Sequence, residues 1–279
     1  AYLSDILTYN LQLDNISSMT FTNSFLHQRT RAGFHLQQGG QVTIQNITIC
    51  LGDPGELPAE AYYDHTFYIL GNSRTNSTLS AFINNINVFC EASLSEPIAT
   101  QAVFNVRMAR DVVISDVQMH DCFFHKMKNQ TFSVYYSYNV TLSNINITNM
   151  TLFLNRFSPD YSQNFGIVSC FSCQHFSLSD FYYGNSYMNG SEDDQGEGLD
   201  MITVDWYFPF TDRASTIISN VTVENTPMLG KGTIVRLQNS NPKTYGDLLV
   251  NNITISNCSL GFGTIISILP NCRDNPGSR

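Results

Sequence analysis

Charge is what this sequence has least of. Only 13% of its 279 residues are charged, and the 14 Lys and Arg leave a formal net charge of −9. Nucleic-acid binding asks for a basic stripe, and there is none, so that class is excluded. No apolar run approaches the roughly 20 residues that a membrane-spanning helix needs. Asn-Gly and Asp-Gly pairs, the signals of tight hairpins, are almost missing, which excludes a propeller of antiparallel blades. A Leu-dominated frame of constant length, as leucine-rich repeats require, is missing too. Tryptophan occurs once, as Trp206.

What the sequence has instead is one recurring phrase, clearest in Val140-Thr-Leu-Ser-Asn-Ile-Asn-Ile147. Taking Ile145 as anchor, the equivalent positions are Ile16, Ile47, Ile86, Val117, Phe181, Val221 and Ile253, all apolar. Each anchor follows an Asn or Asp: Asn15, Asn46, Asn85, Asp116, Asn144, Asp180, Asn220 or Asn252. Three residues before each anchor stands another apolar residue, from Leu13 and Ile44 to Val250. Alternation on either side of the Asn describes two short strands with one face buried. The step of three across the Asn breaks that period, so the chain must bend there. Asn and Asp are the non-glycine residues that best tolerate the left-handed backbone of a sharp corner. The spacing predicts a ladder of corner residues, their amides bonded between coils and buried.

A third strand precedes each phrase: Phe34-His-Leu36, Phe104-Asn-Val106, Phe132-Ser-Val134 and Val168-Ser-Cys170, with looser versions at Phe67-Tyr-Ile69, Ile202-Thr-Val204, Ile234-Val-Arg-Leu237 and Ile265-Ile-Ser-Ile268. Repeats of about 28 to 40 residues belong to solenoids. Three strands per repeat predict an all-β solenoid of about 8–9 coils with three parallel sheets, and crossover handedness favours a right-handed turn. At about 4.8 Å per coil the rod would be roughly 40 Å long. Residues 1–270 are expected to form this single domain. Residues 271–279, where the pattern is lost, read as a tail or linker.

This repeat resembles the right-handed parallel β-helix of the pectin-lyase-like superfamily over nearly all of residues 3 to 270. Within it, the chain is similar to surface and secreted β-helix proteins of single-celled eukaryotes. That fold hosts lyases, hydrolases, adhesins and passive scaffolds, so activity has to be argued from a site.

Composition points outside the cell. Asn-x-Ser/Thr signals begin at Asn15, Asn46, Asn76, Asn129, Asn139, Asn146, Asn149, Asn189, Asn220, Asn252 and Asn257. Used signals mean a secretory route. A fold that wants Asn-apolar-Thr at its corners also generates the motif by itself, and Asn15, Asn46, Asn220 and Asn252 are corner residues. Glycans are therefore expected first at Asn76, Asn129 and Asn189, then at Asn139, Asn146, Asn149 and Asn257. The chain opens on Ala1 without a Met, as expected of a mature chain or a piece of a longer one. The 7 cysteines are expected to form disulfides with one left over. Cys50 with Cys90, on consecutive coils, and Cys258 with Cys272, closing the last, are the expected pairs. Cys170-Phe-Ser-Cys173 reads as core cysteines in preference to a zinc site.

Chemistry is sparse. His27-Gln-Arg-Thr-Arg31 reads as a solvated turn, and Tyr62-Tyr-Asp-His65 places a His beside an Asp without a nucleophile. Arg107 and Arg110 flank outward strand positions where lyases of this fold place cations, but no carboxylate partner of Arg107 is visible, so a surface arginine is the favoured reading. The acidic stretch holds Glu192, Asp193, Asp194, Glu197 and Asp200 among glycines. Calcium takes six to eight oxygen ligands and would suit such a loop; a solvated acidic loop is the plainer reading. Hydrolases of this fold also carry Gly-His-Gly and Arg-x-Lys signatures, which are absent. Trp206 is either a sugar platform or packing for a long loop, the latter favoured.

Neither end shows an amphipathic helix able to cap a solenoid, whose terminal coils expose core and strand edges. The expected function is a non-enzymatic extracellular structural glycoprotein, a rod in a coat, matrix or filament. It would have no cofactor and would associate with itself or with other domains of a longer chain. A polysaccharide lyase or glycoside hydrolase, and a carbohydrate-binding adhesin using Trp206, are the alternatives.

Overall fold

The computed structural model describes residues 2–3, 11–28, 34–51, 65–73, 77–90, 102–125, 131–153, 166–189, 199–206, 213–229, 232–239, 246–259 and 264–269. Among them there is no helix, and every strand pairing is parallel. The strands fall into two stacks. Longer ones, Phe34–Leu51, Ser80–Cys90, Asp111–His125, Asn139–Phe153, His175–Gly184, Ala214–Glu224 and Gly246–Ser256, lie one upon the next. Shorter ones, His65–Leu70, Ala102–Arg107, Phe132–Tyr135, Val168–Phe171, Leu199–Asp205, Gly232–Gln238 and Thr264–Leu269, do the same.

Register makes the repeat physical. Ile47 pairs with Ile86, Ile86 with Val117, Val117 with Ile145, Ile145 with Phe181, Phe181 with Val221 and Val221 with Ile253, a single vertical file. The file from Ile44 to Val250 runs beside it in the same order. In the shorter stack, Phe67, Phe104, Phe132, Val168, Ile202, Val235 and Ile266 form one file. Its first three rings stack at 5.4 and 5.7 Å, the offset spacing aromatic pairs favour. Ile44, Ile86, Val117, Ile145 and Val221 are buried to 1% or less. Since each file also contacts the coils above and below, removing one Ile would leave a void of the kind that costs about 2–5 kcal/mol.

The corners are where the period breaks. Asn46, Asn85, Asp116, Asn144, Asp180, Asn220 and Asn252 all have φ between 51° and 56°, the left-handed region Asn and Asp tolerate best. Their side chains are exposed, not buried, because a left-handed corner on the outside of a coil turns its Cβ toward solvent.

The first repeat departs from the sequence reading. Ile16 pairs with Gly39, and it is Ser24 that pairs with Ile47. Asn23, with φ 53°, therefore holds the corner, and Asn15 and Ile16 do not belong to the files. The true first rung, Met19-Thr-Phe-Thr-Asn-Ser-Phe-Leu26, carries a serine where the anchor should be, which hid it behind a better-looking neighbour.

Candidate functional site

The corner residues form a polar ladder along the outside. Asn46 donates its side-chain N–H to Asn23 at 2.9 Å and Asn85 to Asn46 at 2.8 Å. Asn144 donates to Asp116 at 2.6 Å, Asn220 to Asp180 at 2.9 Å and Asn252 to Asn220 at 2.7 Å. Every bond runs the same way, from Nδ2 of one coil to Oδ1 of the coil before it.

A second ladder was missed. Asp121, Asn149, Asn185, Asn225 and Asn257, each five residues after a first corner, have φ between 48° and 56°. Asn149 donates to Asp121 at 3.0 Å, Asn225 to Asn185 at 3.1 Å and Asn257 to Asn225 at 2.7 Å. The constant step of five is its signal in the sequence, and at Asn149 and Asn257 it coincides with Asn-x-Ser/Thr glycosylation signals. A third corner file, Met108, Tyr136 and Ser172, is also left-handed. Its repetition from coil to coil marks it as architecture and not as local strain at a reactive centre.

The sequence-predicted site residues scatter over this frame. Asn139 donates to Asp111 at 2.8 Å. Asn146 is half-buried with its Oδ1 enclosed. Asn189 ends the strand Tyr187–Asn189. Asn76, Asn129, Glu192, Asp193, Asp194, Glu197, Cys272 and residues 271–279 lie outside the described residues. Asp200, 1% exposed, pairs with Arg236 at 3.0 Å. Burial pushes its carboxyl above the usual range, against the pull of Arg236. Asp200 thus already has a cation, and no group of three or more metal-ligating side chains occurs among the described residues.

Cysteine pairing differs from expectation. Cys90 is bonded to Cys122 with 4.9 Å between Cα atoms, and Cys170 to Cys173. Cys50 pairs in register with Phe89, while Cys90 lies opposite Leu51. One residue of offset sends side chains to opposite faces of a strand, which separates Cys50 from Cys90. Cys258 Sγ lies 3.5 Å from the Val223 carbonyl.

The cations are committed as well. Arg107 donates to Asn105 at 3.0 Å and lies over the rings of Tyr135 and Tyr68, 4.6 and 5.5 Å from their centroids. It is half-buried between aromatics and not a surface arginine. Arg110 binds Asp111 at 2.8 Å. Burial pushes Asp111 up, but hydrogen bonds from Asn139, Arg110 and Ser80 outweigh it and hold the carboxyl low. Trp206 is half-buried and packed against the core. His65 opens the strand His65–Leu70, and Tyr62, Tyr63 and Asp64 lie outside the described residues.

One surface remains that is chemically out of place. In the last described coil the inward files end in Leu248, Val250, Ile253, Ile255, Ile266 and Ile268. Their partners one coil below, Thr216, Ile218, Val221, Val223 and Val235, are 0% exposed and Leu237 is 6% exposed. Leu248, Ile266 and Ile268 are instead 37%, 42% and 60% exposed. Among the described residues no strand pairs with the outer edge of Gly246–Ser256 or Thr264–Leu269, so this face shows the core in cross-section and is the candidate functional site.

Comparison with known proteins finds no matching family model, no matching relative among curated proteins and no matching solved structure.

Proposed function

We propose that this chain is a non-enzymatic structural glycoprotein of the cell exterior, a β-helical rod that builds a coat, matrix or filament by association with other rods. The observation that carries the reading is the exposed apolar cross-section at Leu248, Ile266 and Ile268. Apolar area returns roughly 25 cal/mol per Å² when removed from water, and an exposed strand edge is a template for further pairing. Together they favour a state in which further polypeptide, of this chain or of another, covers this face.

In this reading the coil is right-handed and three-sided, with the left-handed corners separating its faces, and the whole counts 8–9 coils of the pectin-lyase-like kind. Glycans would occupy signals off the two ladders, at Asn76, Asn129, Asn139, Asn146 and Asn189, where they coat the rod without interrupting a rung. The disulfides Cys90–Cys122 and Cys170–Cys173 fit an oxidising compartment.

The test is secretion from a eukaryotic host followed by electron microscopy, sedimentation and glycosidase treatment. Expected are glycosidase-sensitive particles longer than one rod, inert toward polyuronates with calcium. A monodisperse single rod that releases unsaturated sugars or reducing ends would overturn the reading.

A further inference from the structure

Arg107 stands apart from the other described arginines. Arg110, Arg213 and Arg236 each pair with a carboxylate, of Asp111, Asp247 and Asp200 respectively, whereas no carboxylate pairs with Arg107 among the described residues. Its strand, Ala102–Arg107, lies between His65–Leu70 and Phe132–Tyr135. Tyr68 and Tyr135 therefore reach the guanidinium from the two neighbouring coils, each turning a ring face to it at 5.5 and 4.6 Å. Nε donates to Asn105 at 3.0 Å. Rings flank the group and Asn105 holds one edge, which leaves the edge carrying Nη1 and Nη2. Neither of those nitrogens is among the enclosed polar atoms without a partner, which include His35 Nε2 and Thr203 Oγ1, so that edge is open to an incoming group.

We infer that Arg107 is the receptor for a side-chain carboxylate of an acidic polypeptide partner, an Asp or Glu received on the Nη1–Nη2 edge. Two parallel N–H groups of a guanidinium match the two oxygens of a carboxylate, and such charge-assisted pairs are the strong ones. The rotamer freedom that a loose arginine loses on binding is already given up in the fold. The flanking rings favour a peptide acid over a sugar acid. A sugar ring stacks on an open aromatic face, but Tyr68 and Tyr135 both turn theirs to Arg107, and Tyr135 is only 6% exposed. A net charge of −9 gives the chain no general hold on acids, so retention at Arg107 comes from the geometry of the fork. Arg107, Tyr135, Phe171, Asp205, Gln238 and Leu269 follow one another in a single file, which sets this site on the flank of the stack, away from the exposed cross-section.

The experiment titrates the full chain into a fluorescent peptide of alternating glutamate and glycine and follows anisotropy. The glutamine counterpart of that peptide and an oligoglucuronate of equal charge are the other arms. The glutamate peptide should bind, the glutamine peptide should not, and the oligoglucuronate should bind more weakly. Arg107→Gln should weaken peptide binding by about 10- to 100-fold, the worth of charge-assisted hydrogen bonds. Arg107→Lys keeps the charge between the rings but not the planar fork; it should lose about tenfold or more, and it serves as the test if Arg107→Gln unfolds. Arg213→Gln removes one charge from an arginine already paired with Asp247 and should leave binding unchanged. No binding to the intact chain, full binding by Arg107→Lys, an equal loss in Arg213→Gln, or oligoglucuronate held at least as tightly as the peptide would each overturn the inference. All four outcomes leave the rod assembly standing, because assembly depends on the exposed cross-section and not on Arg107.

Discussion

Asn220 donates its side-chain amide to Asp180 in the coil beneath it at 2.9 Å, and Asp180, a carboxylate, has no hydrogen to pass to Asn144 below. The ladder therefore restarts at Asp180, as it does at Asp116. Asp180→Asn should close the gap with one more hydrogen bond, a net gain of roughly 0.5–1 kcal/mol. At about 2–4 °C per kcal/mol for a chain of this size class, calorimetry should show the midpoint rising by about 2 °C. A lower midpoint would mean that the aligned amides are not what supports the corner.

Asn220 itself separates two effects. Asn220→Gly removes both of its rungs, the one it donates to Asp180 and the one it accepts from Asn252, but keeps a residue at ease at φ 54°, so the loss should be about 2 kcal/mol at about 1 kcal/mol per hydrogen bond. Asn220→Ala removes the same two rungs and adds the left-handed penalty of about 1–2 kcal/mol. Chemical denaturation of the pair should place alanine clearly below glycine. Equal values would show that the corner relaxes out of the left-handed region when its side chain is lost.

What the sequence made legible follows from how the residues act. The period-two files and the Asn that interrupts them are local properties, so the alignment of Ile47, Ile86, Val117 and Ile145 is legible in the sequence alone. The first rung was misplaced because Ser24 gives no apolar signal, while Leu13-Asp-Asn15-Ile16 imitates the phrase outside its files. The second ladder was written in the step of five from Asn144 to Asn149 and from Asn220 to Asn225, yet Asn-x-Thr chemistry offered a competing reading of the same letters. The disulfide turned on which face each cysteine takes, and a one-residue slip between Cys50 and Phe89 is invisible without a register. The open end needed burial in three dimensions, since Ile268 is no different in sequence from Ile147.

Cys90 and Cys122 are 32 residues apart and join consecutive coils. Closing a loop of that length in the unfolded chain corresponds to roughly 3–4 kcal/mol in the chain-entropy model. The double variant Cys90→Ser and Cys122→Ser should lose about that much on denaturation, whereas the short Cys170–Cys173 loop should cost far less. Peptide mapping under non-reducing conditions should recover Cys90 linked to Cys122. Recovery of Cys50 linked to Cys90 would move the register between Phe34–Leu51 and Ser80–Cys90 by one residue.

Acid should expose two carboxylates of opposite behaviour. Asp111 is held low by its donors, which outweigh burial, so in the unfolded chain it binds a proton more readily than in the fold. Its contribution to stability is present above the ordinary value of about 3.9 and is lost as pH falls through the lower folded value. Asp200 is pushed up by burial despite Arg236, so the folded chain holds that proton more tightly. Its contribution is greatest below about pH 4 and declines as pH rises toward the folded value. Denaturation midpoints followed from pH 3 upward should therefore lose part of their acid slope in Asp111→Asn. In Asp200→Asn the same curve should become steeper toward neutral pH, because a term that falls with pH has been removed. If the two variants shifted the slope the same way, the Asp200–Arg236 pair would be carrying its charge without a burial penalty, and the enclosed position of that carboxylate would need another account.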